Sequence, residues 1–336
     1  MIRLRRAGPV TQIAMARTVF GRPLFVACAY YLDGLLVDTG PPTTSAELKR
    51  LLDDMTVQAV VLSHAHEDHA GGNPSLHARG LTPLAHPLAI EALAHPPHQR
   101  PYQWVTWGRQ PASTAAVVGE AVATRDFHFR VLHTPGHSVD HLSLFEDRTG
   151  WLFAGDLYLG AHVKVLREDE NPHQIVTSLR AVLGLPVTTL FCASGKIVED
   201  GRGALQRKLD FMERLRDEAH TRQAKGMDAR RIRIELLGRE TWWPLITGGH
   251  FLEAEPHRRA AQRRSSLVVQ GKGPRGEEAH EVVPTPPPPA APYASRPGAG
   301  CSDPPASRSR RRCRTRPARA GWSAQAIRGP SCRRRA

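Results

Sequence analysis

Between residues 60 and 73 the chain reads VVLSHAHEDHAGGN: an apolar run, then three histidines and two carboxylates within six residues, then two glycines. Neutral imidazole and carboxylate are ligands that zinc prefers, and a catalytic zinc keeps one position open for water. His64 and His66 alternate, so an extended backbone sends both side chains the same way. Asp68 and His69 follow where the chain must turn, and a turn can aim that second pair at a point close to the first. Gly71 and Gly72 let the backbone pass nearby without a Cβ in the way. Glu67 faces the other side of an extended segment from His66 and Asp68 and reads as a structural residue. A polar, histidine-rich surface loop is the alternative in a chain with 17 histidines. A buried strand feeding directly into this spacing argues against it.

The elements that must hold these residues are legible in outline. TQIAMARTVF, PLFVACAYYL and GLLVDTG are β-prone runs separated by turn signals. TSAELKRLLDD predicts a helix with Leu48, Leu51 and Leu52 on one face and Thr44 or Ser45 as cap. VQAVVLSH predicts a strand buried on both faces. Residues 95–118, rich in Pro, Gly and aromatics, predict a long loop or insertion, either a binding loop or a plain surface excursion. FHFRVLHTPGHS, DHLSLFED, GWLFAGDLYLG and VTTLFCAS predict further strands. NPHQIVTSLRAVLGL, GALQRKLDFMERLRDEAH and MDARRIRIELLG predict helices, the second with Leu205, Leu209, Met212 and Leu215 inward. Strands first, then strands mixed with helices, give an α+β class of layered sheets covered by helices.

Composition bounds the function. The net charge of +14 resides entirely in residues 258–336, which carry 18 basic and 4 acidic residues; residues 1–257 are neutral. The expected organisation is a folded domain over 1–257 and a disordered basic Pro/Arg-rich tail over 258–336, because PTPPPPAAP and SRSRRRCRTRPARA cannot bury enough apolar surface to offset their ordering entropy. That tail reads as an arm for nucleic acid or acidic surfaces, as a segment without a specific role, or as sequence translated out of frame. Five cysteines without a CxxC pair argue against a thiolate zinc site. No apolar run reaches membrane-spanning length, so the expected setting is cytoplasmic with no membrane partner.

The order of motifs resembles the metallo-β-lactamase-fold hydrolases. His64, His66, Asp68 and His69 match that family's HxHxDH; VDTG supplies Asp38, TPGHS supplies His137, and FAGDLYLG supplies Asp156. The SHAHEDHAGGN form leans towards the thioester- and lactone-cleaving, glyoxalase II-like branch. The resemblance implies a four-layer αββα sandwich of two mixed β-sheets flanked by helices. It also implies a zinc centre of one or two ions. His64, His66 and His137 would hold the first; Asp68, His69 and a last histidine the second, with Asp156 bridging. Ser194 stands where that last histidine would align; Cys192 and a distant histidine such as His250 are the candidates to complete the second site, and the charge of nearby Lys196 would oppose a second cation. His162 and His173 read as surface residues. The implied chemistry is hydrolysis by metal-bound hydroxide, with Asp68 or Asp156 moving the proton, on a small thioester, lactone or amide. The alternatives are a nucleic-acid phosphodiesterase of the same fold, reached through the basic tail, and a metal-binding protein that lost catalysis with the last histidine.

Overall fold

The structure is a computed structural model that describes residues 1–237, except 78, 163–165 and 168, together with 251–252. The expected boundary at 257/258, the tail beyond it and His250 lie outside the described residues. The first half of the chain contributes β1 (Ile2–Ala7), β2 (Val10–Met15), the short hairpin β3 (Thr18–Val19) and β4 (Arg22–Pro23), β5 (Ala27–Leu32) and β6 (Leu35–Val37). Helix α1 (Ser45–Asp53) and β7 (Ala59–Val61) follow, then α2 (Glu67–Ala70), α3 (Asn73–His77), β8 (Leu84–Ala85), α4 (Ala89–Ala94), α5 (Pro101–Thr106) and β9 (Ala116–Val117). The second half contributes β10 (Ala121–Ala123), β11 (His128–His133), β12 (Leu142–Glu146), β13 (Trp151–Gly155), β14 (Leu166–Arg167), α6 (Pro172–Leu183), β15 (Thr189–Cys192), β16 (Ile197–Val198), α7 (Gly201–Ala224), α8 (Ala229–Leu237) and β17 (Phe251–Leu252).

Two mixed sheets result. One runs β1-β2-β5-β6-β7-β8-β9, antiparallel through β6 and parallel from β6 to β9. The other runs β10-β11-β12-β13-β15-β16, with its single parallel pairing between β13 and β15. The period-2 alternation of β5 separates the layers. Cys28, Tyr30 and Leu32 pack between the sheets against Phe129, Leu144, Phe153 and Phe191, while Ala29 faces outward beneath Leu48 and Leu52 of α1. The outer face of the second sheet, through Phe145, Leu152 and Leu190, meets Ile175 and Leu179 of α6 and Leu205 and Leu209 of α7. The layers are therefore helix, sheet, sheet, helix. Among the described residues no helix is long and apolar enough to cross a membrane.

Local chemistry explains the ends that matter for the site. Asn171 caps α6, its side chain accepting from the N–H groups of His173 and Gln174, with Pro172 in the first helical position. Asp200 caps α7 by accepting from Gly203 N–H. Two expectations differ from the structure. The 95–118 segment is not a continuous loop: it contains α5 and β9. Pro101 starts α5, and the Gln103 side chain turns back to accept the Arg100 N–H at 2.7 Å. The metal-motif segment is extended only as far as His66 (φ −64°, ψ 153°); Glu67 begins α2, so Asp68 and His69 lie on a helical turn. Acidic residues in a first turn complement the helix dipole there.

Candidate metal centre

The loop after β7 is anchored from below by Asp38. Asp38 adopts φ 65°, a conformation uncommon for a side chain with a Cβ, and is buried. Its carboxylate accepts from Ser63 N–H at 2.6 Å, from Ser63 Oγ at 2.9 Å and from His69 Nδ1 at 2.8 Å. Ser63 Oγ has one proton and gives it to Asp38, so its lone pair accepts from His64 Nδ1 at 3.0 Å. Asp140 ties in the second motif, accepting the Ala65 N–H at 2.8 Å. Gly72 is required where the loop doubles back, since a Cβ there would lie 2.3 Å from the Thr39 carbonyl oxygen.

These partners assign the imidazole tautomers. His64 and His69 donate through Nδ1 to Ser63 and Asp38, which leaves each Nε2 facing inward. His137 donates through Nδ1 to Glu170 Oε1 at 2.6 Å, again leaving Nε2 inward. His66 is turned the other way: Arg167 Nη1 donates to its Nδ1 at 3.2 Å, so Nδ1 carries the lone pair. The inward nitrogens converge, with His64 Nε2 2.8 Å from His66 Nδ1 and His66 Nδ1 3.1 Å from His137 Nε2. A tetrahedral zinc bonded at 2.0–2.1 Å separates its ligands by about 3.3 Å, so the spacing fits one ion with little adjustment.

A second group shares His64, which lies with His69 and Asp156 in a set whose ligand atoms are all within 4.8 Å of one another. Asp156 Oδ2 is 3.6 Å from His69 Nε2 and 3.2 Å from His137 Nε2, between the two groups. Asp68 belongs to neither set, but its Oδ2 is 3.6 Å from His69 Nε2. His69 Nε2 is buried without a hydrogen-bond partner. Such an orphan among carboxylates suits a cation.

The electrostatics point the same way. Burial and the neighbouring imidazoles push His64 far below its ordinary pKa; burial, with Arg167 adding to it, does the same to His66. Burial also disfavours charge on His69, but Asp68, Asp156 and Asp38 outweigh it and raise its pKa well above the usual value. His137 is likewise raised by Asp156 and Glu170 against burial. Nitrogens that attract a proton so strongly are ones where a dication displaces it. Burial, with Glu67 and Asp156 adding to it, pushes Asp68 up to about 6, whereas His69 and His137 hold Asp156 below the usual carboxylate range against burial.

Several supporting residues carried no signal in the motif reading. His141, four residues after His137, is buried; its Nδ1 faces Thr134 Oγ1 at 2.8 Å, and its Nε2 accepts the Asp156 backbone N–H at 3.0 Å. Gly155 (φ 50°) permits that bond, since a Cβ would lie 2.6 Å from His141 Nε2. Glu170, Asp169 and Arg167 come from the stretch LREDEN before α6, where alternating charge could have drawn attention. Lys208 occupies the i+3/i+4 row of Ala204, Leu205, Leu209 and Met212 on α7, is 4% exposed, and donates from Nζ to the Leu157 carbonyl at 2.6 Å. Glu67 is buried, accepting from Gln103 Nε2 at 2.6 Å.

The position of the expected last histidine holds Ser194, just past β15, with its Oγ buried and without a partner. Cys192 is fully buried in the outer core, its thiol pushed up to about 12 chiefly by burial, and it is in neither ligand group. Lys196 is exposed and donates from Nζ to the Leu159 carbonyl at 2.8 Å. His162 and His173 are exposed.

The comparisons with known proteins agree with this geometry. The family model described as the metallo-beta-lactamase superfamily matches residues 26–194. Thioesterase pkgB of Emericella nidulans is 29% identical over 168 residues, covering 49% of this chain and 43% of the relative. A hydroxyacylglutathione hydrolase of Legionella pneumophila (strain Lens) is 29% identical over 164 residues, covering 47% of this chain and 57% of the relative. The chain spans about half the length of the curated relatives it matches. A metallo-beta-lactamase from Pontibacter korlensis shares the fold with a TM-score of 0.52 at 16% identity, over 63% of this chain and 99% of that one. A metallo-beta-lactamase family protein from Thermus thermophilus does so with a TM-score of 0.52 at 19% identity, over 79% and 96%. Every converging candidate ligand, from His64 to Asp156, falls inside the span matched by the family model, and the chain belongs to the metallo-beta-lactamase superfamily.

Proposed function

We propose that this chain is a zinc-dependent hydrolase of a small thioester, with lactones and amides as the related carbonyl substrates. The observation that carries the reading is that His64, His69 and His137 have their outer nitrogens tied to fixed partners while their inner ones, with Nδ1 of His66, face a common region beside two carboxylates. His64, His66 and His137 would hold the first zinc. His69 and Asp156, with Asp68 alongside, offer a second position that Ser194 leaves one ligand short. Zinc bound there would bring a coordinated water's pKa towards about 7 and polarise the scissile carbonyl.

The remaining work falls to the chain. Asp156, kept ionised by the positive charge that gathers at His69 and His137, a role the metal would take over, orients rather than accepts protons. Asp68, whose carboxyl burial pushes upward, is suited to take a proton from the attacking water and return it to the leaving thiolate. His141 and Gly155 fix the backbone of Asp156. The names of the curated relatives, a thioesterase and a hydroxyacylglutathione hydrolase, support the thioester class. Residues 1–257 carry as many acidic as basic residues, so no basic excess there favours a nucleic-acid phosphodiester.

The test is a panel of acyl thioesters with zinc-loaded protein, alongside zinc per chain by elemental analysis. Thioester turnover and bound zinc are expected together, both lost in His66→Ala. Turnover that survives His66→Ala, or no turnover of any carbonyl substrate by zinc-loaded protein, would reject the reading.

A further inference from the structure

Three of the site imidazoles are steered by a partner on the outer nitrogen: Ser63 for His64, Asp38 for His69 and Glu170 for His137. His66 is placed differently. Its inward Nδ1 meets Arg167, and its outer Nε2 lies 3.8 Å from Asp169 Oδ2, beyond hydrogen-bond reach. The ring therefore depends on its own backbone, and that backbone is held on both sides. Ala65, just before it, has its N–H bonded to Asp140 Oδ2 at 2.8 Å and its carbonyl bonded to Gln110 Nε2 at 2.7 Å. Glu67, just after it, accepts from Gln103 Nε2 at 2.6 Å through a buried carboxylate.

Both glutamines come from the 95–118 insertion, and both are braced within it. Gln103 Oε1 accepts the Arg100 N–H at 2.7 Å at the start of α5. The Gln110 N–H donates to Gln99 Oε1 at 2.8 Å, and Gln99 Nε2 donates to the Gly108 carbonyl at 3.3 Å. The insertion is in turn pinned to the body, since the Trp107 carbonyl accepts the Thr43 N–H at 3.1 Å and the Ser113 N–H donates to the Leu93 carbonyl at 2.8 Å. We propose that Gln103 and Gln110 are positioning residues for zinc: by clamping Glu67 and Ala65 they hold His66 Nδ1 on the first metal position, in place of the outer-nitrogen partner that this ring lacks. A zinc–nitrogen bond of about 2.0–2.1 Å tolerates little drift of its ligand, so the clamps act on affinity and not only on the fold. The inference rests on the reading of His64, His66 and His137 as a zinc position.

Gln103→Met and Gln110→Met keep the side-chain length and remove the amide. Ser113→Ala is the control: it removes a buried hydrogen bond of the same insertion, the one accepted from Asn73 Nδ2 at 3.1 Å, and touches neither Ala65 nor Glu67. Zinc affinity is read by competition with a chromophoric chelator, ligand geometry by the visible absorption of cobalt-loaded protein, and folding by melting temperature in chelator. Each glutamine variant should bind its first zinc about tenfold or more weakly, the low end of what outer partners contribute, and shift the cobalt bands. Ser113→Ala should keep wild-type zinc affinity whatever its melting temperature. Both glutamines also line the cavity of about 280 Å³ beside His66, so a plain substrate contact would move KM alone and leave zinc affinity intact. Wild-type zinc affinity in a glutamine variant would overturn the proposal for that residue, and an equal loss in Ser113→Ala would overturn it for both. Should a methionine variant fail to fold, Gln→Asn at the same position, one methylene short of the contact, is read by the same criteria. A wild type that binds zinc but cleaves no thioester fails the hydrolase reading while the affinities still decide on the glutamines; a wild type that binds no zinc ends both.

Discussion

Replacing Lys208 by Met isolates the effect of a buried ammonium directly behind the Asp156 turn. The side chain is 4% exposed, and burial brings its pKa from 10.5 down to about 8, despite Glu170 and Asp156 acting in the opposite sense. A displacement of that size corresponds to about 3 kcal/mol of differential interaction. Below pH 8 the amine is charged in both folded and unfolded chains, and the folded state bears the whole desolvation cost. Between pH 8 and 10.5 the unfolded chain retains the proton while the folded chain releases it, so stability rises with pH across that window; above 10.5 the cost is gone. Methionine removes this dependence but leaves the Leu157 carbonyl without its donor, a loss of about 1–3 kcal/mol at every pH. The two proteins should therefore be close in stability at pH 7. The wild type should gain about 3 kcal/mol on Lys208→Met by pH 10.5. Urea denaturation followed by tryptophan fluorescence, at several pH values in chelator, measures the difference and cancels every other titrating group. A difference that stays flat from pH 7 to 10.5 would show that the ammonium is hydrated and the burial argument wrong.

Ser194→His supplies the side chain type that the second position lacks and should strengthen binding of a second zinc by more than about tenfold, read by elemental analysis and chelator competition; that factor is the low end of what even an outer partner contributes. Unaltered stoichiometry would mean that position 194 does not face His69 and Asp156. Glu170→Gln takes the charge from the acceptor of the His137 Nδ1–H and should lower first-site zinc affinity about 10–100-fold with little change in melting temperature. Gly155→Ala forces a Cβ against His141 Nε2 and should destabilise the fold by about 1–3 kcal/mol while loosening Asp156; wild-type stability and zinc affinity together would contradict the 2.6 Å approach.

The sequence is legible where one physical rule dominates and silent where tertiary context does. Cys28, Tyr30 and Leu32 alternate because both faces of β5 are covered by different layers, and Leu205, Leu209 and Met212 repeat at helical spacing for the same reason. Strand β1, IRLRRA, lies at the sheet edge with mostly exposed side chains, so its pairing with β2 comes from backbone register and not from apolar pattern. The motif residues converge because VDTG, SHAHEDH, TPGHS and FAGD all lie at or just beyond strand ends on one rim of the sandwich. The turn at Glu67 into α2, by contrast, depends on Gln103 arriving from α5 to satisfy the buried carboxylate, a partner 36 residues away.

The two halves of the site differ in how they are built, and that difference bears on metal number. Two imidazoles of the first group are fixed through their outer nitrogens, His64 by Ser63 and His137 by Glu170, while His66 Nδ1 must exchange its contact with Arg167 for the ion. Their nitrogens are already at 2.8 and 3.1 Å, so binding an ion there requires little movement of the rings once the guanidinium of Arg167 gives way. The second group has one well-fixed imidazole, His69 on Asp38, but its carboxylates are 3.6 Å from His69 Nε2, and Ser194 offers only a hydroxyl. Neutral hydroxyl oxygen is not among the usual zinc ligands. Pre-organisation and donor type thus favour sequential loading, the three-histidine position first, and a titration of chelator-stripped protein should show one tight zinc per chain with any second equivalent much weaker. Two equivalents bound with equal affinity would mean that a donor outside Asp68, His69, Asp156 and Ser194 completes the second position.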